Sequence, residues 1–354
     1  MRVRISSASM AMAMAAAMLV AASGSGQQPR VTEQTSGVRS LLQSVSAVNE
    51  KVAWAGGANG TVVRTIDGGD HWERRPIDGA ARLEFRGIHA ISGNEAWALS
   101  AGNGGASRIY HTTDGGDHWT LQFTNTDSTA FFDCITFFDA RHGAAYSDAS
   151  QGRTTVLRTE DAGAHWMLLP QSAVPAPLAG EGGFASSNSC IVSVDGRHGW
   201  ISASEPGARI FHTVDAGATW TIAAASTPFF HSSTGGITAI SFRDAKHGIG
   251  VAARVDAAMA RDTTSASVAT TDDGGMTWTL RTRPPRAGSL SGVALVPKAG
   301  DRTAVVAGYG GLFVTRDNGQ TWDVATTNGY WAVRAAGKRA WAVGPGGRIT
   351  RLDF

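Results

Sequence analysis

The chain has 354 residues, with 31 basic and 29 acidic side chains, and 44 of its residues are glycine. This near-zero charge argues against a nucleic-acid or anionic-membrane partner, because proteins that bind such partners carry a basic excess. Many short runs of Val, Ile, Phe and Trp lie between the glycines, which is typical of all-β proteins. A chain of this length can bury a large core as one domain.

The first 26 residues are predicted to be a signal peptide. Arg2 and Arg4 form a positive start, an apolar run follows from Met10 to Val20, and small residues suited to cleavage come next. The apolar run is short for a membrane span. We therefore expect an exported protein, periplasmic or secreted. Its mature part, residues 27–354, is expected to be a single monomeric domain without a membrane span.

A short motif with the pattern Thr-x-Asp-x-Gly-x-(Thr or His)-Trp recurs six times along the chain. Its aspartates are Asp67, Asp114, Asp161, Asp215, Asp273 and Asp317, spaced 44 to 58 residues apart. Three β-rich segments precede each motif and one follows it, so each repeat predicts four antiparallel strands, the content of one propeller blade. The motif falls between the third and fourth strands, where Asp and Gly suit a tight structural turn.

The end of the chain decides the number of blades. Residues 330–354 contain three further strands but no seventh motif. Residues 30–34, with the sequence RVTEQ, are the expected fourth strand, because closure by the N-terminal strand leaves no open edge. The sequence therefore predicts an all-β, seven-bladed β-propeller of four-stranded antiparallel blades. The alternative is six blades with an appended C-terminal segment.

The repeated motif is identified as the Asp-box, or BNR repeat. The chain as a whole resembles the propellers related to the photosystem II stability/assembly factor, which also occur in bacteria without photosynthesis. The stretches AFFDCITFFDARHG (130–143) and EGGFASSNSC (181–190) resemble segments of the exported bacterial branch, some of whose members are labelled oxidoreductase or glycosyl hydrolase. The resemblance implies a role in the assembly or stability of an envelope complex. Asp-boxes also occur in sialidases, sortilin-type receptors and xyloglucan hydrolases, so the fold does not fix the function.

Blade topology sorts the loops onto two faces. The turns after the first and third strands share the lower face, and the loops after the second strands and between blades form the upper face. Two insertions, residues 170–189 and 253–266, fall on the upper face, and repeat proteins usually place insertions on the binding face. The expected contact residues for a partner or ligand are Asp133, Asp148, Arg153, Glu181, Phe184, Glu205, Phe229, Phe230, His231, Arg254 and Asp256.

The sequence lacks the signatures of the enzymes that share such motifs. No G-x-G-x-x-G follows a strand and opens a helix, and no CxxC occurs. The nearest match to the Arg-Ile-Pro start of a sialidase, FRGI at residues 85–88, lacks the proline. We expect a non-catalytic scaffold without cofactor or metal that binds another envelope or secreted protein. The alternatives are a glycan hydrolase that uses upper-face carboxylates and a propeller that binds a small ligand or a metal.

The two cysteines hold the same repeat position. Cys134 and Cys190 each lie eight residues before the histidine of an RHG turn. Equivalent side chains on neighbouring first strands point the same way around the ring, whereas a disulfide needs Cβ atoms that face each other. We expect two free, buried thiols, although an exported protein permits a disulfide.

Overall fold

The computed structural model describes residues 27–204, 207–232, 234–255 and 265–354. The predicted signal peptide lies outside the described residues, as do two of the expected contact residues, Glu205 and Asp256. None of the helices in the described part of the chain is long and apolar enough to cross a bilayer.

The structure confirms the seven-bladed propeller: seven four-stranded antiparallel sheets follow one another along the chain. With strands numbered in chain order, the first strands of the blades are β2 (Leu42–Ala47), β6 (Phe85–Ala90), β10 (Phe132–Phe137), β14 (Ile191–Val194), β18 (Gly235–Phe242), β22 (Leu290–Leu295) and β26 (Ala332–Ala336). The second strands are β3 (Ala53–Gly57), β7 (Ala96–Ser100), β11 (Gly143–Ser150), β15 (His198–Ala203), β19 (Gly248–Arg254), β23 (Ala304–Gly308) and β27 (Arg339–Val343).

The outer half of each blade completes the pattern. The third strands are β4 (Thr61–Thr65), β8 (Arg108–Thr112), β12 (Arg153–Thr159), β16 (Arg209–Thr213), β20 (Ser267–Thr271), β24 (Gly311–Thr315) and β28 (Ile349–Asp353). The fourth strands are β5 (Glu73–Arg74), β9 (Thr120–Thr124), β13 (Met167–Leu168), β17 (Thr221–Ala224), β21 (Thr279–Leu280), β25 (Asp323–Thr326) and, for blade seven, β1 (Arg30–Gln34). Short 3-10 turns lie at Gly104–Ala106, Gln171–Ala173 and Pro345–Gly347.

The N-terminal strand closes the ring as predicted. β1 pairs antiparallel with β28, from Arg30 opposite Asp353 to Gln34 opposite Ile349. The Gln34 side chain also reaches blade one, where its Oε1 accepts a hydrogen bond from Trp72 Nε1 at 3.0 Å. One strand therefore completes the last blade and ties it to the first.

The core lies between the blades. Trp54 of blade one meets Trp119 of blade two edge-on, with ring centroids 6.1 Å apart. Trp200 of blade four stacks on Phe242 of blade five at 3.7 Å. Burial of large rings along every blade boundary stabilises the ring as a whole, because no blade can bury its faces alone.

The six repeated turns share one hydrogen-bond pattern, which blade four illustrates. Asp215 Oδ1 accepts the Thr219 N–H at 2.9 Å, and Thr213 Oγ1 donates to the same oxygen at 2.7 Å. Thr213 Oγ1 also accepts the Gly217 N–H at 3.1 Å. The turn bonds to the first turn of its own blade, where the Ala216 N–H donates to the Arg197 carbonyl at 3.0 Å. These contacts place both turns on the lower face.

The prediction of two free thiols is wrong, because Cys134 and Cys190 form a disulfide with their Cα atoms 6.0 Å apart. The error lies in treating both residues as members of regular strands. Asn188 adopts a left-handed backbone (φ 57°) two residues before Cys190, and β14 begins only at Ile191. The alternation of side chains along a strand therefore does not govern the direction of Cys190.

Candidate functional site

A ring of equivalent residues lies at the upper end of the first strands. Five first strands contain a register shift, or β-bulge, at one shared position. The residues at these bulges are Gln43, Arg86, Asp133, Thr238 and Ser291; Ser189 and Trp331 hold the same position in blades four and seven. A bulge turns a side chain away from the regular ladder and is common beside functional sites. We call these seven residues the bulge ring.

Residues 182–189, which we call the plug, extend from the blade 3–4 insertion across the central channel. Asn188 Nδ2 donates to the carbonyls of Ile88 and Ile135, each at 3.1 Å. On another side of the channel, Ser186 Oγ donates to the Thr238 carbonyl at 3.0 Å. These partners belong to blades two, three and five, so the insertion spans the channel as well as lying on the upper face.

Two cavities open at the upper face beside the plug. The first, which we call the central cavity, has a volume of about 350 Å³. Its lining includes Gln43, Phe184, Arg254, Tyr309 and Trp331. The second, which we call the acidic cavity, has a volume of about 500 Å³ and is lined by Asp133, Asp148 and residues 180–185. Both cavities include Arg86, Phe184 and Ala185 in their walls.

Three members of the bulge ring carry a buried polar atom without a hydrogen-bond partner. These atoms are Gln43 Oε1, Asp133 Oδ2 and Trp331 Nε1. Gln43 and Asp133 are each only 2% exposed. The ring thus presents two unsatisfied acceptors and one unsatisfied donor at the cavity walls. Each of these buried atoms costs free energy as long as it has no partner.

The acidic cavity holds two carboxyl groups with altered ionisation. Burial, and then the charge of Asp148, raise the pKa of Asp133 well above its ordinary value. Burial also raises the pKa of Asp148 to about 6, although a hydrogen bond from the Gly183 N–H to Asp148 Oδ1 at 3.1 Å opposes the shift. Arg86 favours the ionised form of Asp133, but its guanidinium is already hydrogen-bonded to Glu84 at 2.6 and 2.9 Å.

The structure brings Asp133, Asp148 and Phe184 together in the acidic cavity, and it places Arg254 in the central cavity. Glu181 contributes to the acidic cavity wall, but its side chain is 2% exposed and forms an ion pair with Arg209. Arg209 Nε donates to Glu181 Oε1 at 2.6 Å. This buried pair lies at the base of the plug, and it engages the Glu181 carboxylate within the fold.

The remaining expected contact residues lie apart from these cavities. Phe229 is 2% exposed and packs on Trp278 at 5.2 Å, so it belongs to the core between blades four and five. Phe230 packs against the same part of the core, and the His231 ring is hydrogen-bonded to the Phe229 carbonyl. Arg153 Nη2 donates to the Leu169 carbonyl at 3.2 Å, at the outer part of blade three.

Sequence reasoning missed Gln43, Arg86, Tyr309 and Trp331. All ring members share one signal, because each lies two residues before a Val or Ile of the first strand. The residue type at this position differs from blade to blade, so the sequence alone does not reveal that these residues are equivalent. Within the described residues, no group of three or more His, Cys, Asp or Glu side chains could hold a metal ion.

Comparison with known proteins gives consistent matches. Residues 30–127 match a family model described as "Photosynthesis system II assembly factor YCF48". The "Photosystem II assembly lipoprotein Ycf48" of Synechococcus sp. (strain RCC307) is 44% identical over 46 residues, which are 13% of this chain and 14% of that protein.

Two solved structures share the architecture. "YCF48 bound to D1 peptide" is 18% identical and covers 93% of this chain and 98% of its own, with a TM-score of 0.63. "YCF48 from Cyanidioschyzon merolae" is 19% identical and covers 91% and 98%, with a TM-score of 0.62. At these identities, the two structures show that the fold is shared.

Proposed function

Because this chain is a BNR-type propeller that resembles the photosystem II assembly factor family, we propose that it is an exported, non-catalytic scaffold. It binds a segment of a partner protein at the upper mouth, which comprises the central and acidic cavities. The observation that carries the proposal is the bulge ring, whose unsatisfied polar atoms line concave walls built by several blades.

A peptide segment fits the chemistry of the central cavity. Gln43 Oε1 can accept a hydrogen bond and Trp331 Nε1 can donate one, and a peptide backbone supplies both complementary groups. The Tyr309 and Trp331 rings, with centroids 6.1 Å apart, offer apolar surface beside them. Aromatic anchors in a concave site are typical of protein recognition. The solved propeller described as bound to a D1 peptide is a precedent on the same fold.

Export is supported by two independent features. One is the predicted signal peptide at the start of the chain. The other is the Cys134–Cys190 disulfide, because disulfides persist mainly in oxidising compartments outside the cytosol. We accordingly propose that the partner is a periplasmic, envelope or secreted protein, and that the scaffold assists its assembly or stability.

A glycan hydrolase is the second candidate, favoured by the raised pKa of Asp148, which suits a general acid. The backbone of Gly182 and Gly183, which lies over the carboxyl pair, argues against a hydrolase. A Cβ atom on Gly182 would lie 2.1 Å from Asp148 Oδ1, and one on Gly183 would lie 3.4 Å from Asp133 Oδ2. The glycine backbone therefore lies close against both carboxyl groups and restricts the approach of a sugar ring.

Affinity capture from the cell envelope tests the scaffold. The tagged chain is compared with Trp331→Ala and Phe184→Ala, and with Met276→Ala, which removes a 61% exposed side chain on the lower face. A partner retained by the parent and Met276→Ala, but lost by both upper-mouth variants in folded form, supports the proposal. Equal retention by all variants contradicts it, and release of sugar in a parallel glycan screen favours the hydrolase.

A further inference from the structure

Within the described part of the chain, the carboxyl pair of the acidic cavity has no basic partner. Among the described residues, neither Asp133 nor Asp148 forms a salt bridge, whereas Glu181 pairs with Arg209 and Glu84 pairs with Arg86. Burial of a carboxylate without a counter-charge is unfavourable. Arg86, a basic residue of the cavity wall, already bonds Glu84 through both Nε and Nη2.

A second observation comes from the hydrogen bonds of the pair. Asp133 Oδ2 is buried without a partner, and the Asp133 residue is only 2% exposed. Asp148 Oδ1 accepts a hydrogen bond from the Gly183 N–H, and the Asp133 and Asp148 carboxyl groups are hydrogen-bonded to each other. A carboxylate can accept several hydrogen bonds, so beyond their mutual bond and the bonds from backbone N–H groups the two carboxyl groups retain acceptor capacity at the wall of an open cavity of about 500 Å³.

Apolar surface adjoins this acidic group. Phe184 lines both cavities, and beyond it the central cavity presents Leu41, Tyr309 and Trp331. The side chains of Lys and Arg combine an apolar stem with a cationic end. Such a side chain can lie along Phe184 and place its cation at the carboxyl pair.

We propose that the acidic cavity receives a Lys or Arg side chain of the partner segment, while a neighbouring apolar side chain of that segment occupies the central cavity. This inference rests on the proposed peptide-binding role of the upper mouth. It assigns to Asp133 and Asp148 the recognition of a cation and to Tyr309 and Trp331 the recognition of an apolar group.

Labelled peptides test the assignment directly. Nonapeptides of Gly and Ser with a central Leu-X-Leu, blocked at both ends, carry Lys, Arg, norleucine or Glu at X, and fluorescence anisotropy measures their binding to the full chain. We expect the Lys or Arg peptide to bind about 10-fold more tightly than the norleucine peptide, the magnitude of a hydrogen-bonded charge pair. The Glu peptide should bind most weakly.

Variants separate this inference from the proposed function. The combined Asp133→Asn and Asp148→Asn change should reduce the preference for Lys over norleucine to within about 2-fold, whereas Asp301→Asn on the lower face should retain it. If Trp331→Ala abolishes binding but the peptides bind equally well whatever residue stands at X, the cation site is wrong and the proposed function stands. Binding that survives Trp331→Ala, or no binding by any peptide, contradicts the proposed function as well. A preference that EDTA abolishes overturns the inference in favour of a metal ion.

Discussion

Arg334 and Asn188 meet across the central channel, where Arg334 Nη2 donates a hydrogen bond to the Asn188 carbonyl at 2.7 Å. The same guanidinium donates through Nη1 to Ser189 Oγ at 2.6 Å. Arg334 lies on β26 of blade seven, whereas Asn188 and Ser189 belong to the insertion between blades three and four. The plug is thus held from the opposite side of the ring, and the disulfide fixes its end.

The disulfide should stabilise both the fold and the plug. The double variant Cys134→Ser, Cys190→Ser removes the cross-link that closes a loop of 56 residues. We expect it to lower the free energy of unfolding by roughly 3–4 kcal/mol. Denaturant titration measures the loss, and reducing agent should destabilise the parent but leave the variant unchanged. Mass spectrometry after alkylation without reduction provides the check, because two added groups on the denatured parent would show that the thiols are free.

Asp148→Asn should stabilise the protein at neutral pH. The folded-state pKa of Asp148, about 6, lies above its ordinary value of 3.8, so the folded state binds the proton more tightly than the unfolded state. The ionised group therefore costs stability above pH 6, and this cost disappears as the pH falls below about 4. Burial raises the pKa of Asp148, whereas the Gly183 N–H and the Asp133 carboxyl, which both face this group, lower it.

We expect a gain on the order of 1–2 kcal/mol for Asp148→Asn at pH 7, measured by denaturant titration from pH 4 to pH 7.5. The gain should shrink steadily as the pH falls. Asp301→Asn is the matched lower-face control. A pH-independent effect, or a loss of stability at pH 7, would show that folding does not raise the pKa of Asp148.

Asp215→Ala tests the repeated turns as structural elements. It removes the acceptor of the Thr219 N–H and of the hydroxyls of Thr213 and Thr219, and about 1–2 kcal/mol of stability should be lost. Asp215→Asn, which retains an oxygen acceptor, should lose less. Partner binding should be unchanged, since the turn lies on the lower face. Weakened binding by an equally stable Asp215→Ala variant would assign these turns a functional role.

Deletion of residues 30–37 should open the ring. It removes β1 and its pairing with β28, and so leaves an unpaired strand edge that promotes self-association. Size-exclusion chromatography and thermal unfolding should show oligomers and a lower Tm. A truncated chain that stays monomeric and melts with the parent would mean that β1 does not carry the closure.

The fold was predictable because its information is repeated: six motifs fix the turn between the third and fourth strands, and RVTEQ completes the strand count. The site was only partly predictable. Topology alone predicts the upper-face positions of Asp133, Asp148 and Phe184, which line one cavity of the candidate site. The pairing of Cys134 with Cys190 does not, because the left-handed turn at Asn188 breaks the alternation of side chains.

Burial accounts for other differences. Phe229 lies on an upper loop in the sequence pattern, yet its ring fills the boundary between two blades. Glu181 acquires a buried partner, Arg209, that is 28 residues away along the chain. Gln43 and Trp331 line the mouth because the first strands converge there, and no local pattern indicates that convergence.

Photo-cross-linking from the two faces in intact cells is the most direct test of partner binding at the upper mouth. One chain carries benzoylphenylalanine at Tyr309, which lines the central cavity, and a second carries it at Met276 on the lower face. We expect a discrete protein adduct from position 309, joined through one peptide segment, and none from position 276. An adduct from position 276 with none from position 309 would contradict it.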